Sequence, residues 1–257
     1  MPPPVKIPSE LLSEYTMSGT VPIIDWYRDD STPNGVAKWT NQVINQFLTS
    51  YSFQNIKSLN HIPGEPYEGS SKLHVQACEM YPDAVRDKNI AVIGSLTPWI
   101  EAILVNAGAK SVTTVEYNVP ECEHHIIKTI SYDEFSKSDT KYDSVFSFSS
   151  IEHSGLGRYG DPLNPNGDIE TMKHIRNSLV TGGMLFLGIP VGNDALVWNV
   201  HRVYGAKRLN NLFEGFDDIQ WLGTSKNYIY TAPLQNNGPQ PLIVLIKKDS
   251  NFHPATD

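Results

Sequence analysis

Lys141-Tyr142-Asp143-Ser144-Val145-Phe146-Ser147-Phe148-Ser149-Ser150-Ile151-Glu152-His153 is the stretch whose reading decides the fold. Ser144 to Phe148 is a short run rich in apolar residues, which suits a strand buried in a parallel sheet. A loop from Ser154 to Asp168 follows, rich in Gly, Pro, Asn and Asp but also carrying Arg158 and Tyr159. Such a length inside a compact domain marks either a binding loop or a rigid loop without chemistry.

The same alternation extends in both directions. Upstream, Ile90 to Gly94 is an apolar run ending in glycine, Thr97-Pro98 opens a helix whose Ile100, Ile103 and Leu104 share a face, and Ser111 to Glu116 and Ile126 to Ile130 are strands. Downstream, Gly167 to Leu179 reads as a helix, Gly182-Gly183 as a turn into the strand Met184 to Ile189, Arg202 to Phe213 as a helix, and Asp217 to Leu222 and Pro241 to Lys247 as strands. Asn118 to His125 has room for one turn only. The expectation is an α/β, Rossmann-like fold with a mainly parallel seven-stranded sheet and helices on both faces, over residues 89–257.

Residues 1–88 differ. Prolines at 2, 3, 4, 8, 22 and 33 break the segment, yet Val36, Trp39, Val43, Ile44, Phe47, Leu48 and Tyr51 fall at helical spacing, and Ser71 to Tyr81 reads as a second helix before Pro82. This predicts a helical N-terminal extension packed on the main domain. Gly223 to Gln240 reads as a mobile connection.

Ligands in open α/β sheets sit outside the carboxyl ends of the strands. The residues there are Gly94-Ser95, Glu116-Tyr117 and Ser149 through His153. Glu116 lies about 20 residues after the glycine, a spacing at which a carboxylate accepts the hydroxyls of a ribose; a solvated loop acid is the alternative.

In order along the chain, Tyr142-Asp143-x-Val145, Ile151-Glu152-His153, Leu179-Val180-Thr181-Gly182-Gly183-Met184-Leu185 and Ile189-Pro190 resemble the class I methyltransferases that use S-adenosylmethionine. His201-Arg202-Val203-Tyr204 with Leu209, Leu212 and Phe213 is similar to a further segment of that superfamily. More narrowly, Ser149 through Pro162 resembles a family called domain of unknown function 268. The resemblance implies S-adenosylmethionine as cofactor, held by Gly94, Ser95, Glu116, Tyr117, Asp133 and Ser149. The superfamily's glycine turn departs here: Leu96 and Pro98 stand where its second and third glycines fall, and Val92 where its acid does. The implied activity is methyl transfer to a small or carbohydrate-like acceptor; a domain that keeps the fold as a binding or regulatory module is the competing reading.

Glu152, His153 and His201 are the candidate catalytic groups, since a histidine near its ordinary pKa suits proton removal at neutral pH. Arg158, Tyr159, Asp161, Trp198 and Arg202 are candidate acceptor contacts, the arginines for an anionic group. Hard and borderline ligands occur, but no HxxxH or HxH spacing, so no metal is expected. Lys and Arg number 20 against 28 Asp and Glu, a net charge of −8, which disfavours nucleic acid as a partner. Cys78 and Cys122 read as free thiols, the N-terminus lacks a signal-like apolar core, no Asn-x-Ser/Thr site occurs and no run reaches membrane-spanning length. The expected setting is cytoplasmic.

Overall fold

The computed structural model describes residues 2–32, 35–59 and 62–248; Pro33 lies outside them. The main sheet has seven strands: β1 (Asn89–Ile93), β2 (Ser111–Glu116), β3 (Ile127–Ser131), β4 (Tyr142–Phe148), β5 (Leu179–Gly188), β6 (Phe216–Leu222) and β7 (Leu242–Lys247). Their order is β3-β2-β1-β4-β5-β7-β6. All pairings are parallel except those of β7, which runs antiparallel to β5 and β6.

Alternation along β1 explains why both faces are covered. Ile90 and Val92 join Phe146 and Phe186 on one face, against Ile100, Ile103 and Leu104 of the helix Trp99–Asn106. Ala91 and Ile93 join Val145, Leu185 and Leu187 on the other, against Met172 and Ile175 of the helix Gly167–Ser178 and Leu209 and Leu212 of Ala206–Leu212. The N-terminal helices Asn41–Ser50, Phe53–Ser58 and Ser70–Met80 add Ile44, Ile56, Val75 and Ala77 to the first face.

Several local expectations change. The helix expected from Val36 begins at Asn41, because the Thr40 hydroxyl accepts from the Val43 amide at 3.2 Å and caps it there. Val36 is exposed, and Lys38–Trp39 pairs in parallel with Glu121–Cys122, so the Asn118–His125 segment supplies a short strand rather than a turn alone. The helix expected from Arg202 begins at Ala206. His201–Val203 is instead a strand beside Ala195–Asn199, which pairs in turn with Ile23–Trp26 of the N-terminal segment. The buried Asp194 carboxylate sets that boundary: it accepts from the Gly205, Lys207 and Arg208 amides at 2.8, 2.9 and 3.2 Å, the donors a helix start leaves unpaired. Residues 223–240 include the short helix Tyr228–Thr231. Cys78 is a buried free thiol and Cys122 a half-buried one.

Candidate active site

Strand order reverses between β1 and β4, each of which leads to a different side of the sheet. A crevice opens outside their carboxyl ends, the expected ligand position in such sheets. It encloses about 880 Å³ of empty space, counting its open mouth.

The floor is the turn after β1. Gly94 has φ +76°, and a Cβ there would lie 2.0 Å from Ser150 Oγ, so both conformation and close approach require glycine. Ser95 is buried, whereas Leu96 is 73% exposed at the turn's tip. Thr97 does not cap the following helix: Pro98 is the boundary residue and no side chain bonds the helix start. From β2 come Glu116 and Tyr117. Burial pushes the Glu116 carboxyl up to about 7, against the pull of the Tyr117 and Ser95 backbone amides. From β4 come Ser149, with φ 52°, and the single turn Ile151–His153.

His153 Nδ1 lies 2.6 Å from the Val200 carbonyl, which can only accept. Nδ1 therefore carries the hydrogen, and the lone pair is on Nε2. Burial, aided by Arg158, holds this ring far below its ordinary pKa, at about 3, so it is neutral. Glu152, 1% exposed, lies on the Nε2 side of the ring, with Oε1 3.7 Å from that nitrogen. Neither carboxyl oxygen of Glu152 has a hydrogen-bond partner among the described residues, and burial raises this carboxyl to about 7.

Eight of the candidate residues line the crevice: Gly94, Ser95, Glu116, Tyr117, Ser149, His153, Tyr159 and Asp161. Of these, Asp161 is already occupied in part, accepting from the Gly155 and Gly157 amides at 2.7 and 3.2 Å and so folding the loop back on itself. The other candidates lie elsewhere, each for a visible reason. Asp133 is exposed and pairs with Lys137 at 2.6 Å. Arg158 Nε bonds Asp30 at 2.7 Å, and its plane covers the Tyr159 ring. Arg202 donates to the Ser154 carbonyl at 2.7 Å and the Pro165 carbonyl at 3.2 Å, so its guanidinium holds the loop instead of facing an acceptor. His201 Nε2 bonds the Asn236 carbonyl at 2.8 Å, and Trp198 packs edge-on against Tyr15 in a separate small core.

The N-terminal segment supplies what strand-end reasoning missed. Pro66 and Tyr67 form part of the wall, beside Phe148 and Trp99. Nothing in the local sequence of Tyr67 points there; the helix Ser70–Met80, packed on the sheet, brings it over. No Lys or Arg lines the crevice among the described residues. Those residues also hold no group of three or more His, Cys, Asp or Glu placed for a metal, and no helix long and apolar enough to cross a membrane.

The sequence model of one family, described as "Caenorhabditis protein of unknown function, DUF268", matches residues 87–236, more than half of the chain. No curated protein matches. Among solved structures, the chain is similar to the Burkholderia thailandensis 1,6-didemethyltoxoflavin-N1-methyltransferase, crystallised with 1,6-didemethyltoxoflavin and S-adenosylhomocysteine: TM-score 0.52, 13% identity, covering 80% of this chain and 87% of that one. It is also similar to the N-methyltransferase NodS from Bradyrhizobium japonicum WM9 in complex with S-adenosylhomocysteine, with TM-score 0.50, 13% identity and coverage of 81% and 100%. At these identities the likeness is one of fold.

Proposed function

This chain belongs to the DUF268 family and has a class I methyltransferase-like fold, and from that premise we propose that it transfers a methyl group from S-adenosylmethionine to a small acceptor. The observation that carries the reading is convergence: the Gly94 turn, Glu116 and His153 line one crevice at the point where strand order reverses. The residues fit the cofactor. Gly94 lets the turn pack closely against Ser150 at the crevice floor, and a carboxyl stands at the end of β2 for a ribose. Gly94, Ser95, Glu116, Tyr117 and Ser149 would hold it, and when bound it supplies an electrophilic methyl group.

The chain's own task is then alignment and proton handling. His153 Nε2 takes the proton that the acceptor loses, and Glu152, 3.7 Å away, supplies the negative charge that steadies the protonated ring. Because burial makes His153 alone a weak base, the pair works only as Glu152 ionises near neutral pH. With no cationic side chain on the crevice wall, the acceptor group is neutral or positively charged; amines and carbohydrate-like hydroxyls belong in the screen. Residues 1–88 are read as an extension that completes the wall through Pro66 and Tyr67, and residues 89–257 as the catalytic domain. The free thiols Cys78 and Cys122 suit a reducing, cytoplasmic setting.

Calorimetry with S-adenosylmethionine and S-adenosylhomocysteine tests the reading; no heat at millimolar ligand overturns it. Leu96 and Pro98, standing where the superfamily's glycines fall, favour a second reading, a catalytically inactive domain that serves as a binding or regulatory module. Binding without methylation of any acceptor in the screen would support that one.

A further inference from the structure

A carboxyl group lies directly behind the Gly94–Leu96 turn, and it does not come from the strand. Val92 occupies the β1 position two residues before Gly94. The carboxyl belongs to Glu101, in the first turn of the helix Trp99–Asn106, and it is 0% exposed. Glu101 Oε1 lies 2.7 Å from Thr114 Oγ1 of β2, and Oε2 lies 3.0 Å from Ser95 Oγ. The Ser95 hydroxyl is also 2.9 Å from the Thr97 carbonyl.

Counting hydrogens assigns the protonation state. The Thr97 carbonyl can only accept, so the Ser95 hydrogen goes there. The hydrogen between Ser95 Oγ and Glu101 Oε2 must then belong to Glu101, while Thr114 donates to Oε1. The Thr97 carbonyl also accepts the Trp99 amide at 2.8 Å, so it is paired either way; but an ionised Glu101 would leave one serine hydrogen for two oxygen–oxygen contacts of 2.9 and 3.0 Å, and the contact without a hydrogen would be repulsive. The ionisable groups whose charge couples to Glu101 are Glu116 and Cys122, neither of them a cation. Burial is the main cause that raises its carboxyl, to about 7.

We infer that protonated Glu101 is the positioning residue of the cofactor turn: through Ser95 and Thr114 it ties the helix, the β1 turn and β2 together and fixes the backbone that faces the methyl donor. The inference rests on the methyl-donor reading of the crevice. The tie is complete below neutral pH and is lost as Glu101 ionises.

The test compares wild type, Glu101→Gln and Ser95→Ala by S-adenosylhomocysteine calorimetry and by thermal midpoint, at about pH 6 and about pH 8.5. The Gln amide donates to Ser95 and accepts from Thr114, as the protonated acid does, but cannot ionise. The ratio of Glu101→Gln to wild-type affinity is expected to rise about tenfold between the two pH values, and Ser95→Ala to bind about tenfold more weakly at the lower one. Because the charge of Glu116 couples to Glu101, the comparison is repeated in a Glu116→Gln background, where that titration is absent. Identical pH profiles for the two would overturn the inference, as would full affinity in Ser95→Ala. If no protein binds the ligand, the methyl-donor reading fails by itself. The thermal midpoints then decide whether the tie exists: Glu101→Gln must gain stability over wild type only at the higher pH, and an equal midpoint there sinks it.

Discussion

Two sets of buried carboxyls lie near the β4 loop, and their pKa values move in opposite directions. Asp168, 0% exposed, is gripped by Arg208 at 2.6 and 2.8 Å, receives the Tyr204 hydroxyl at 3.0 Å and has Arg202 Nε at 3.7 Å. Burial pushes its pKa up, but Arg202 and Arg208 more than reverse this and hold it below the ordinary value. Glu101 and Glu152 are buried as deeply with no such partner, and both rise to about 7. Burial raises all three, and a cation within bonding distance decides whether that rise is reversed. The ionised group organises the loop, since Arg202 and Arg208 carry its Ser154 and Pro165 carbonyls. Glu101 and Glu152, raised to about 7, stand behind crevice-lining residues, where a change of protonation near neutral pH can serve chemistry.

The largest effect should come from removing the charged partner. Asp168→Asn keeps the volume but leaves two arginines buried beside a neutral group, and urea denaturation should show a loss of about 3–5 kcal/mol. A loss below about 1 kcal/mol would mean the pair adds little beyond shape, and the contrast with Glu152 would collapse. The next effect turns on pH. A carboxyl raised in the folded state stabilises the fold below its unfolded pKa, and that contribution is lost as pH rises through the folded value near 7. Glu152→Gln should thus melt like wild type near pH 4 and be more stable by about 2–3 kcal/mol at pH 8, while abolishing turnover. Asp168 has the opposite sign: its contribution is present above the unfolded aspartate pKa and is lost as pH falls through the depressed one.

Glu116→Ala should weaken S-adenosylhomocysteine binding by about 1–3 kcal/mol in calorimetry, through the unpaired ribose hydroxyls it would leave. Unchanged affinity would place the ribose elsewhere. The smallest effect is expected at Asp133, whose carboxylate is engaged by Lys137 on the exposed face of its helix. Asp133→Asn should alter neither ligand affinity nor thermal midpoint, and a clear loss of affinity would bring Asp133 back as a cofactor contact.

Much of the sheet domain is legible because strands and helices announce themselves locally. Ile90–Gly94 and Ser144–Phe148 carry the apolar runs of strands buried on both faces, and the strand-end rule then leads to Gly94, Glu116 and His153. The segment 201–205 misleads for a physical reason. His201 to Val203 become a strand because Ala195–Asn199 pairs with them, and the helix waits for Asp194, which comes from earlier in the chain. Arg158 and Arg202 look available in sequence, but the carbonyls and carboxylate that occupy them come from distant loops. Glu101 did leave a signal: an acid within the apolar run Trp99-Ile100-Glu101-Ala102-Ile103-Leu104 must either break the helix face or be bonded inside it.

By itself the sequence determined the alternation of strand and helix and the choice of strand ends as the place to look, because each follows from the chain's own periodicity. Only the tertiary structure decided which carboxyls are ionised, which arginines are free and which aromatic rings close the crevice. Those depend on groups far apart along the chain, and their energies appear only once water has been excluded between them.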